Sequence, residues 1–296
     1  MNDFDLHIHS SFSGDGQYSP EQLVELAYNT GLHTISLTDH DSVLGVPRMM
    51  AAAKKYEIKV IPGIECSTLY EDYAVHVLGY GININNSYFK DLTKKVRKLT
   101  HDAFFERAYK MIQKYDLKID IEDFAKKNQN LNLWDEFCKL IFHDSKYQTI
   151  SDFVDYIPGG KRSDPASVNF STDKLQPGSD LYVRVEFPDF KETICRIHEA
   201  GGIAVIAHPF RIFYKNEERL LNAIKCGIDG IEAFSNYHEK YHNLYYAEFA
   251  KKHDLIITCG SDFHGKLKPS INLGEYGLNG GSDILNEFLK RINEHK

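Results

Sequence analysis

Short apolar segments alternate with amphipathic segments at both ends of the chain. The apolar segments predict strands at about 4–10, 34–38, 58–66, 73–80, 203–207, 230–234 and 255–259. The amphipathic segments predict helices at about 20–30, 45–56, 189–200, 216–226, 238–253 and 282–294. Because strands and helices alternate at short spacing, we predict an α/β fold built on a parallel sheet.

The middle of the chain does not continue this alternation. Residues 87–115 have the pattern of a charged helix, whereas 116–180 has no clean period and includes Pro158-Gly159-Gly160. We therefore predict an interrupted barrel domain, formed by residues 1–95 and 189–296. The interruption, residues 96–188, is predicted to be a mainly helical cap subdomain.

The first predicted strand carries two histidines on one face. Alternate side chains of a strand point the same way, so His7 and His9 project together, and Asp15 follows on the next loop. Two imidazoles beside a carboxylate are typical of the start of a metal site. A His-x-His pair is equally compatible with a strand that has two incidental histidines, so the rest of the chain decides between these readings.

Further candidate ligands recur on the other predicted strands, mostly at or just past their C-terminal ends. They are His40, Glu65, His76, His208, Asp262 and His264. Each one also has an ordinary explanation, such as a turn, a helix cap or a rim charge paired with a lysine. Chance placement of the whole set at strand ends is much less expected, and in α/β barrels active sites form at this rim.

The chemistry of these groups limits which metals they suit. Imidazoles and carboxylates without thiolates are typical of zinc, manganese or iron sites and not of structural zinc clusters. The set is too large for one ion, and a carboxylate such as Glu65 can bridge two. We therefore predict two to three divalent transition-metal ions. Four other histidines lie in predicted helices and are expected to be surface or packing residues: His198, His238, His242 and His253.

Composition excludes several classes of function. A net charge of −7 argues against a broad surface for duplex DNA, although a local phosphate site is compatible with it. The five cysteines are scattered and are expected to be reduced. No apolar run approaches the roughly 20 residues of a membrane span. With no pattern of a signal peptide at the start, we expect a cytoplasmic protein that binds no membrane.

The motifs together resemble those of the PHP (polymerase and histidinol phosphatase) superfamily, closest to its stand-alone bacterial phosphoesterases. They are His7-x-His9 with Asp15, Thr38-Asp39-His40, Gly63-Ile64-Glu65, His76, Ala207-His208-Pro209 and Ser261-Asp262-x-His264. The resemblance covers about 1–85 and 189–296. It implies a distorted TIM-type (βα)7 barrel with three metal ions at the C-terminal rim.

The resemblance also implies how the ligands divide among the ions. One ion would be held by His7, His9, Glu65 and Asp262. Glu65 would bridge to a second ion, which His76 and His208 also bind. The third would be held by Asp15, His40 and His264.

The predicted cap resembles the family less closely. The family's helix after the fourth strand usually carries two arginines three residues apart; here Arg107 matches the second position and Phe104 occupies the first. The segment Tyr182-Val183-Arg184 does resemble the family. Arg107 and Arg184 are therefore candidate substrate-binding residues, and the exact substrate stays open.

The reaction that this resemblance implies is hydrolysis of a phosphate ester, with a metal-bridging hydroxide as nucleophile. The expected substrates are small and nucleotide-like, for example a 3′,5′-nucleoside bisphosphate or the end of a short RNA. Glu65, His208, Asp262 and His264 are the candidate catalytic residues, and the residue that gives a proton to the leaving oxygen is not assigned. Partner proteins are not predicted.

Arg211 is a third candidate substrate-binding residue. It lies three residues after His208 on a predicted βα loop, and a guanidinium binds phosphate oxygens with two parallel hydrogen bonds. The alternative is a surface arginine that pairs with Glu217 or Glu218.

Other functions stay open at this point. Within enzymes, the chain could be a cyclic-phosphate phosphodiesterase or a phosphatase of the histidinol-phosphate type. A non-catalytic, metal-stabilised PHP module is an alternative of another class, and phosphatase activity with added manganese would separate it from an enzyme. An amidohydrolase would typically need a bridging modified lysine, for which the strand ends offer no candidate.

Overall fold

The structure is a computed structural model that describes residues 2–129 and 131–295, with the backbone but not the side chain of Arg211. Its strands, numbered along the chain, are β1 Phe4–Ile8, β2 Thr34–Leu37, β3 Lys59–Tyr70, β4 Tyr73–Tyr80, β5 Ile203–Ile206, β6 Gly230–Ser235 and β7 Ile256–Gly260. Its α-helices are α1 Pro20–Asn29, α2 Val46–Ala53, α3 Ser87–Tyr115, α4 Ile121–Lys127, α5 Leu133–His143, α6 Ala166–Lys174, α7 Phe190–Glu199, α8 Phe210–Phe213, α9 Glu217–Lys225, α10 Lys240–Lys252 and α11 Ser282–His295.

The seven strands form one sheet in sequence order, and the sheet is almost closed into a barrel. Next to β7, the Asp262 N–H donates to the carbonyl of His7 at 2.9 Å, and the His9 N–H donates to the carbonyl of Phe263 at 3.0 Å. These bonds bring the first and last strands together. The predicted TIM-type α/β barrel is confirmed.

The prediction of a parallel sheet is wrong for one strand. β4 is antiparallel to both β3 and β5, whereas the other neighbouring pairs are parallel. Tyr70 pairs directly with Tyr73, so only Glu71 and Asp72 connect β3 to β4. A connection this short allows a hairpin and cannot make the crossover that a parallel pair requires.

Two compact units make up the chain. The first contains Met1–Lys94 and Phe187–Lys296, with all seven strands, and the second is Lys95–Glu186. The role of the second unit as a cap stays a prediction. No helix in the described ranges combines the length and the apolar character that a membrane crossing needs.

The barrel interior has apolar and charged layers. All five residues of β1 are buried: Phe4 and Leu6 join an apolar core that also contains Leu78, Tyr80 and Val205. The strand packs so closely against β7 that a Cβ on Gly260 would lie 2.2 Å from the His7 Cβ. Only glycine fits there, and the close approach holds His7 at a fixed depth in the barrel.

The second unit has an aromatic core. Phe104, the residue at the position where the resemblance expects an arginine, is only 4% exposed and packs against Phe137 with ring centroids 6.0 Å apart. Phe170 is fully buried and contacts the rings of Phe142 and Tyr156. A charged side chain at Phe104 would be desolvated in this environment, so the core accounts for the departure from the family pattern.

Candidate metal centre

The first group of potential ligands lies around the end of β1. His7 and His9 are fully buried, and their Nε2 atoms face each other at 3.1 Å. Asp262 Oδ1 lies 3.2 Å from the Nε2 of His7 and 2.9 Å from that of His9. Glu65 Oε2 lies 3.3 Å and 3.2 Å from the same two nitrogens. The four side chains converge on one point at the C-terminal rim.

A second group forms around the loop that follows β1. His264 Nε2 lies 3.2 Å from Asp15 Oδ2, and His40 Nε2 lies 3.4 Å from the same oxygen. The ring of His9 packs on that of His264 with centroids 4.1 Å apart. His9, Asp15, His40 and His264 therefore form a set, with one donor atom from each lying within 4.8 Å of the others.

The third group contains His40, Glu65 and His76. His76 Nδ1 lies 2.9 Å from Glu65 Oε1, and His40 Nδ1 lies 3.1 Å from Glu65 Oε2. His208 approaches the same carboxylate, with its Nε2 at 3.0 Å from Oε1. The resemblance implied that His9 and His40 each belong to one group of ligands. In the structure His9 belongs to the first and second groups, and His40 belongs to the second and third.

Several atoms of these groups are buried and have no hydrogen-bond partner among the described residues. They are Asp15 Oδ1, His40 Nδ1, Glu65 Oε2, His76 Nδ1 and His264 Nε2. The His40 nitrogen and the Glu65 oxygen are close enough to bond, yet their directions do not allow a hydrogen bond. Lone pairs that converge without bonding one another fit a coordinated cation, and this donor set suits a divalent transition metal.

The protonation preferences of the cluster follow from its charges. Burial would raise the pKa of Glu65, but the surrounding imidazoles, led by His40, hold it well below its ordinary range. Burial lowers the pKa of His40 to about 3. Burial also disfavours protonated His9, but Asp262 and Glu65 outweigh it and raise that pKa to about 9. The carboxylates are therefore expected to be ionised, and a cation bound beside them would be stabilised.

Two of the predicted ligands have uncommon backbone conformations. Asp262 has φ of 55° and His208 has φ of 24°, both in the left-handed half of conformational space. Residues other than glycine adopt such angles at a cost, and they do so where the surrounding structure determines them. Here the strained backbone turns the Asp262 side chain towards His7, just past the end of β7. It likewise turns the His208 side chain towards Glu65, just past the end of β5.

Glu232 is a buried part of the site that the sequence analysis did not identify. One carboxylate oxygen lies 2.8 Å from His7 Nδ1, and the other accepts the His208 N–H at 2.8 Å. It thus fixes the ring of one predicted ligand and the backbone of another, as outer carboxylates do in metal sites. A glutamate inside the apolar strand Gly230–Ser235 is the signal that could have revealed it.

Lys268 was also missed. Its ammonium group donates to Asp262 Oδ2 at 2.8 Å and to the hydroxyl of Tyr237. The lysine is 9% exposed and follows a 3-10 turn, where no periodic pattern marks it. It fixes the Asp262 oxygen that faces away from His7 and His9.

The three arginines predicted to bind substrate have different outcomes. Arg107 is half-buried in the second unit, and its Nε has no hydrogen-bond partner in the part of the chain that the structure describes. Arg184 pairs with Glu186 at 2.7 Å in the same unit. The side chain of Arg211 lies outside the described residues, and Glu217 pairs with Lys252. A role in substrate binding stays a prediction for all three.

The histidines assigned to helices fall outside these groups. His198 pairs with Asp229 at 2.7 Å, and His253 lies in α10's C-terminal cap. His238 precedes α10, is buried, and bonds to the carbonyl of Ala233 at 3.0 Å. The predicted helix therefore begins two residues too early, but none of these residues joins a metal-ligand group among the described residues.

Comparison with known proteins gives a consistent set of relatives. A 5′-3′ exoribonuclease of Haemophilus influenzae is 30% identical over 88% of this chain and 89% of its own length. A 3′,5′-nucleoside bisphosphate phosphatase of Chromobacterium violaceum is 29% identical over 89% and 88%. A solved structure from Bifidobacterium adolescentis, described as a metal-dependent phosphoesterase, superposes with a TM-score of 0.73 at 26% identity and covers 98% of this chain and 96% of that one.

The family model of the PHP domain matches residues 5–153. This segment contains the first six predicted ligands, and the full-length relatives extend the similarity across the segments that carry the rest. The predicted resemblance is confirmed: the chain belongs to the PHP domain family.

Proposed function

We propose that this hydrolase of phosphoester bonds acts on small nucleotide-like phosphate esters, such as 3′,5′-nucleoside bisphosphates or the ends of short RNA. The observation that carries the proposal is that each pair of the three donor groups shares a residue: His9, His40 or Glu65. Sites that share ligands hold their ions close together, as phosphoester hydrolysis with several metal ions requires. The cofactors would be two to three divalent ions of manganese, iron or zinc.

The predicted ligands would hold these ions at the rim. When bound, such ions polarise phosphoryl oxygens and lower the pKa of water towards neutrality. The chain's own contribution is to keep the donors in place. Glu232 and Lys268 restrain the orientation of His7 and Asp262, so little reorganisation is needed when the negatively charged substrate arrives.

The exposure of the ligands suggests how a substrate approaches. His7, His9 and Glu65 are fully buried and form the floor of the site. The side chains of His40, His76 and His208 are 23%, 29% and 22% exposed, and Asp15 is 20% exposed. A phosphate group would therefore meet these four first, which makes His208 and His76 candidates for contact with the leaving oxygen.

The nature of the two curated relatives supports a nucleotide-like substrate. One is named for an activity on RNA and the other for an activity on nucleoside bisphosphates, and both align over almost nine-tenths of this chain. Both substrates present a phosphate ester beside a ribose and a base. Cyclic phosphates and histidinol phosphate stay alternatives within the same chemistry.

A substrate panel on manganese-loaded protein tests the proposal. It contains a 3′,5′-nucleoside bisphosphate, a short 5′-phosphorylated RNA, a cyclic phosphate diester, histidinol phosphate and an amide substrate. We expect the highest kcat/KM on one of the first two, loss of turnover in EDTA, and recovery when manganese is restored. Exclusive hydrolysis of the cyclic ester would favour the phosphodiesterase alternative. No turnover with manganese, iron or zinc would support a non-catalytic module.

A further inference from the structure

A continuous series of aromatic rings leads away from His208 along two neighbouring loops of the barrel. It begins in the segment after β5 and in the loop after β6, and it ends in the first turns of α10. All of these segments follow the carboxyl ends of their strands, so they lie on the rim that carries the predicted ligands. We name this series the ring ladder; it comprises Tyr237, Phe210, His242, Tyr214, Tyr241 and Tyr245.

The inner part of the ring ladder is in contact with the site. The ring of Tyr237 meets that of His208 edge to face, with centroids 5.5 Å apart. Phe210 lies nearly parallel to Tyr237, at 6.1 Å and an angle of 16°. His242 follows at 5.9 Å from Phe210. The ladder is therefore continuous with the residues that would surround a scissile phosphate.

The outer part continues through Tyr214. Its ring contacts His242 at 4.4 Å, Tyr241 at 5.6 Å and Tyr245 at 5.4 Å. Each step along the ladder thus joins rings at contact distance. Because several steps separate Tyr237 from Tyr241, a ligand that touches both ends must be longer than a single ring.

The outer tyrosines of the ladder differ from an ordinary aromatic core in their exposure, whereas the linking His242 is buried. Tyr241 is 54% exposed, whereas Tyr246, five residues further along α10, is fully buried. Tyr214 and Tyr245 are half-buried. Large apolar rings grouped at a surface are typical of binding sites, because solvent exposure gives them no stabilisation.

Charges along the ladder are mixed, with cations beside the outer rings. Lys215 places its ammonium group 5.2 Å from the centroid of Tyr214, and Lys240 precedes Tyr241 at the surface. Acids on the same elements include Glu239, Glu218 and Glu248, which are exposed, and Glu217, which pairs with Lys252 at 2.7 Å. Rings interleaved with cations suit a ligand that alternates flat bases with phosphates.

We propose that the ring ladder binds the bases of single-stranded RNA whose terminal phosphate ester reaches the metal centre. This inference rests on the proposed function and adds the residues that would select oligonucleotides over mononucleotides. Stacking requires a π face and no particular base, so the ladder should bind with little sequence preference. The outer rings, Tyr214 and Tyr241, would contact nucleotides beyond the first.

The test compares Tyr241→Ala and Tyr214→Ala with a matched control, Tyr28→Ala. Tyr28 is 56% exposed and also contacts another tyrosine ring, but it lies on α1. For each manganese-loaded variant, kcat/KM is measured on a short oligoadenylate and on p-nitrophenyl phosphate, which has no base. We expect the ratio of the two values to fall by roughly 5- to 150-fold in the ladder variants, mainly through KM, and to match wild type in the control.

Two further measurements make the result specific. Tyr241→Phe keeps the ring and should restore the ratio. The affinity of a fluorescein-labelled oligoadenylate, measured by anisotropy, should fall by a similar factor in Tyr241→Ala and Tyr214→Ala without any need for turnover.

The proposal that the ring ladder binds RNA and the proposed function are rejected by different results. Oligonucleotide affinity and kcat/KM ratios like those of Tyr28→Ala would reject the ladder and leave its rings as the surface for another ligand, such as a protein. Equal losses on both substrates would also reject it, since the rings would then support the fold. Absence of turnover on every phosphate ester, with tight oligonucleotide binding that depends on the ladder, would reject the proposed function instead.

Discussion

The two compact units of this protein both have apolar cores, but they differ in the polar groups that they bury. The barrel unit buries histidines and carboxylates at its rim, with His7, His9 and Glu65 fully enclosed. The second unit buries mainly aromatic and aliphatic side chains, among them Phe137, Phe153 and Phe170. Buried charge is costly unless it is paired or binds a metal, whereas buried rings stabilise a fold directly. The comparison therefore separates residues kept for chemistry from residues kept for stability.

The largest effect is expected from replacing Glu65, whose carboxylate two donor groups share. Glu65→Gln keeps the shape of the side chain but loses its charge and one acceptor oxygen. Since loss of a single charge-stabilising donor in an active site costs about 100- to 1000-fold, we expect kcat/KM to fall by more than about 1000-fold. Elemental analysis should also show fewer metal ions per chain.

Glu25→Gln is the matched control, because Glu25 is an exposed glutamate on α1 of the same unit. It should keep both turnover and metal content. Near-normal activity of Glu65→Gln on the best substrate of the panel would mean that this carboxylate does not belong to the catalytic centre.

The second prediction addresses the aromatic unit. Phe170 has no exposed surface and packs on Tyr156 with ring centroids 5.0 Å apart. Phe170→Ala should destabilise the second unit by about 3–5 kcal/mol, through lost contacts and a cavity. Denaturant unfolding followed by the fluorescence of Trp134, which contacts Phe170, measures this change.

The same variant should leave the bound metal of the barrel unchanged, because all predicted ligands lie in the other unit. Leu140→Ala, at a position 39% exposed on α5, serves as the control and should cost little. If Phe170→Ala lost bound metal in proportion to its loss of stability, metal binding would depend on the aromatic core, and the two units would not have separate roles.

The difference between the interiors also explains how much the sequence revealed. Histidines and acids recur at or near the strand ends, so the donor groups that contain His7, His40 and Asp262 could be predicted from residue type and position, and their role as metal ligands stays a prediction. Most barrel helices were predicted to within two residues: the helix predicted at 216–226 is α9 at Glu217–Lys225. In both cases the residue types and their spacing in a short stretch of sequence are enough for the prediction. The helix predicted at 45–56 ends earlier, as α2 at Val46–Ala53, and α8 at Phe210–Phe213 was not predicted.

Other features leave no such local pattern. The helices α4, α5 and α6 have only 7, 11 and 9 residues, so each offers few buried positions from which a helical period could be recognised. The reversed β4 follows from a two-residue connection, whereas the third strand was predicted to end at residue 66, which left room for a longer connection before residue 73. The sequence shows Glu232 as a charged residue in an apolar strand, but its partner His7 lies 225 positions away and is identified only in the folded chain.

A third, smaller effect tests that outer carboxylate. Glu232 accepts from both His7 Nδ1 and the His208 N–H, and a glutamine could accept from only one of them. Glu232→Gln should weaken metal binding by about 10- to 100-fold, as is typical for groups that orient ligands. Competition with a fluorescent chelator measures the affinity.

Glu239→Gln, an exposed substitution in the loop after the same strand, should leave the affinity at the wild-type value. Unchanged affinity in Glu232→Gln would show that the buried carboxylate supports the barrel and not the metal centre. The rim would then contain both residues that bind metal and buried charged residues that only stabilise the fold.

The smallest effect concerns a histidine of the barrel unit that lies outside the rim. His198 Nε2 bonds to Asp229 Oδ2 at 2.7 Å, and this hydrogen bond raises the pKa of His198 above its ordinary value. A raised pKa means that the folded state binds the proton more tightly than the unfolded state does. The pair's contribution is therefore complete below pH ~6.5 and is lost as the pH rises through the folded pKa.

Because both side chains are partly exposed, this contribution should be below about 1 kcal/mol. His198→Gln removes the titration, while Asp229 keeps the Ala204 N–H that it accepts at 2.7 Å. Denaturant unfolding from pH 5.5 to 8.5 should show the wild-type advantage over His198→Gln shrinking as the pH rises. An advantage that grows with pH would reverse the assigned sign. A pair outside the rim is thus expected to adjust stability slightly, whereas the buried groups at the rim are expected to determine whether the protein binds metal at all.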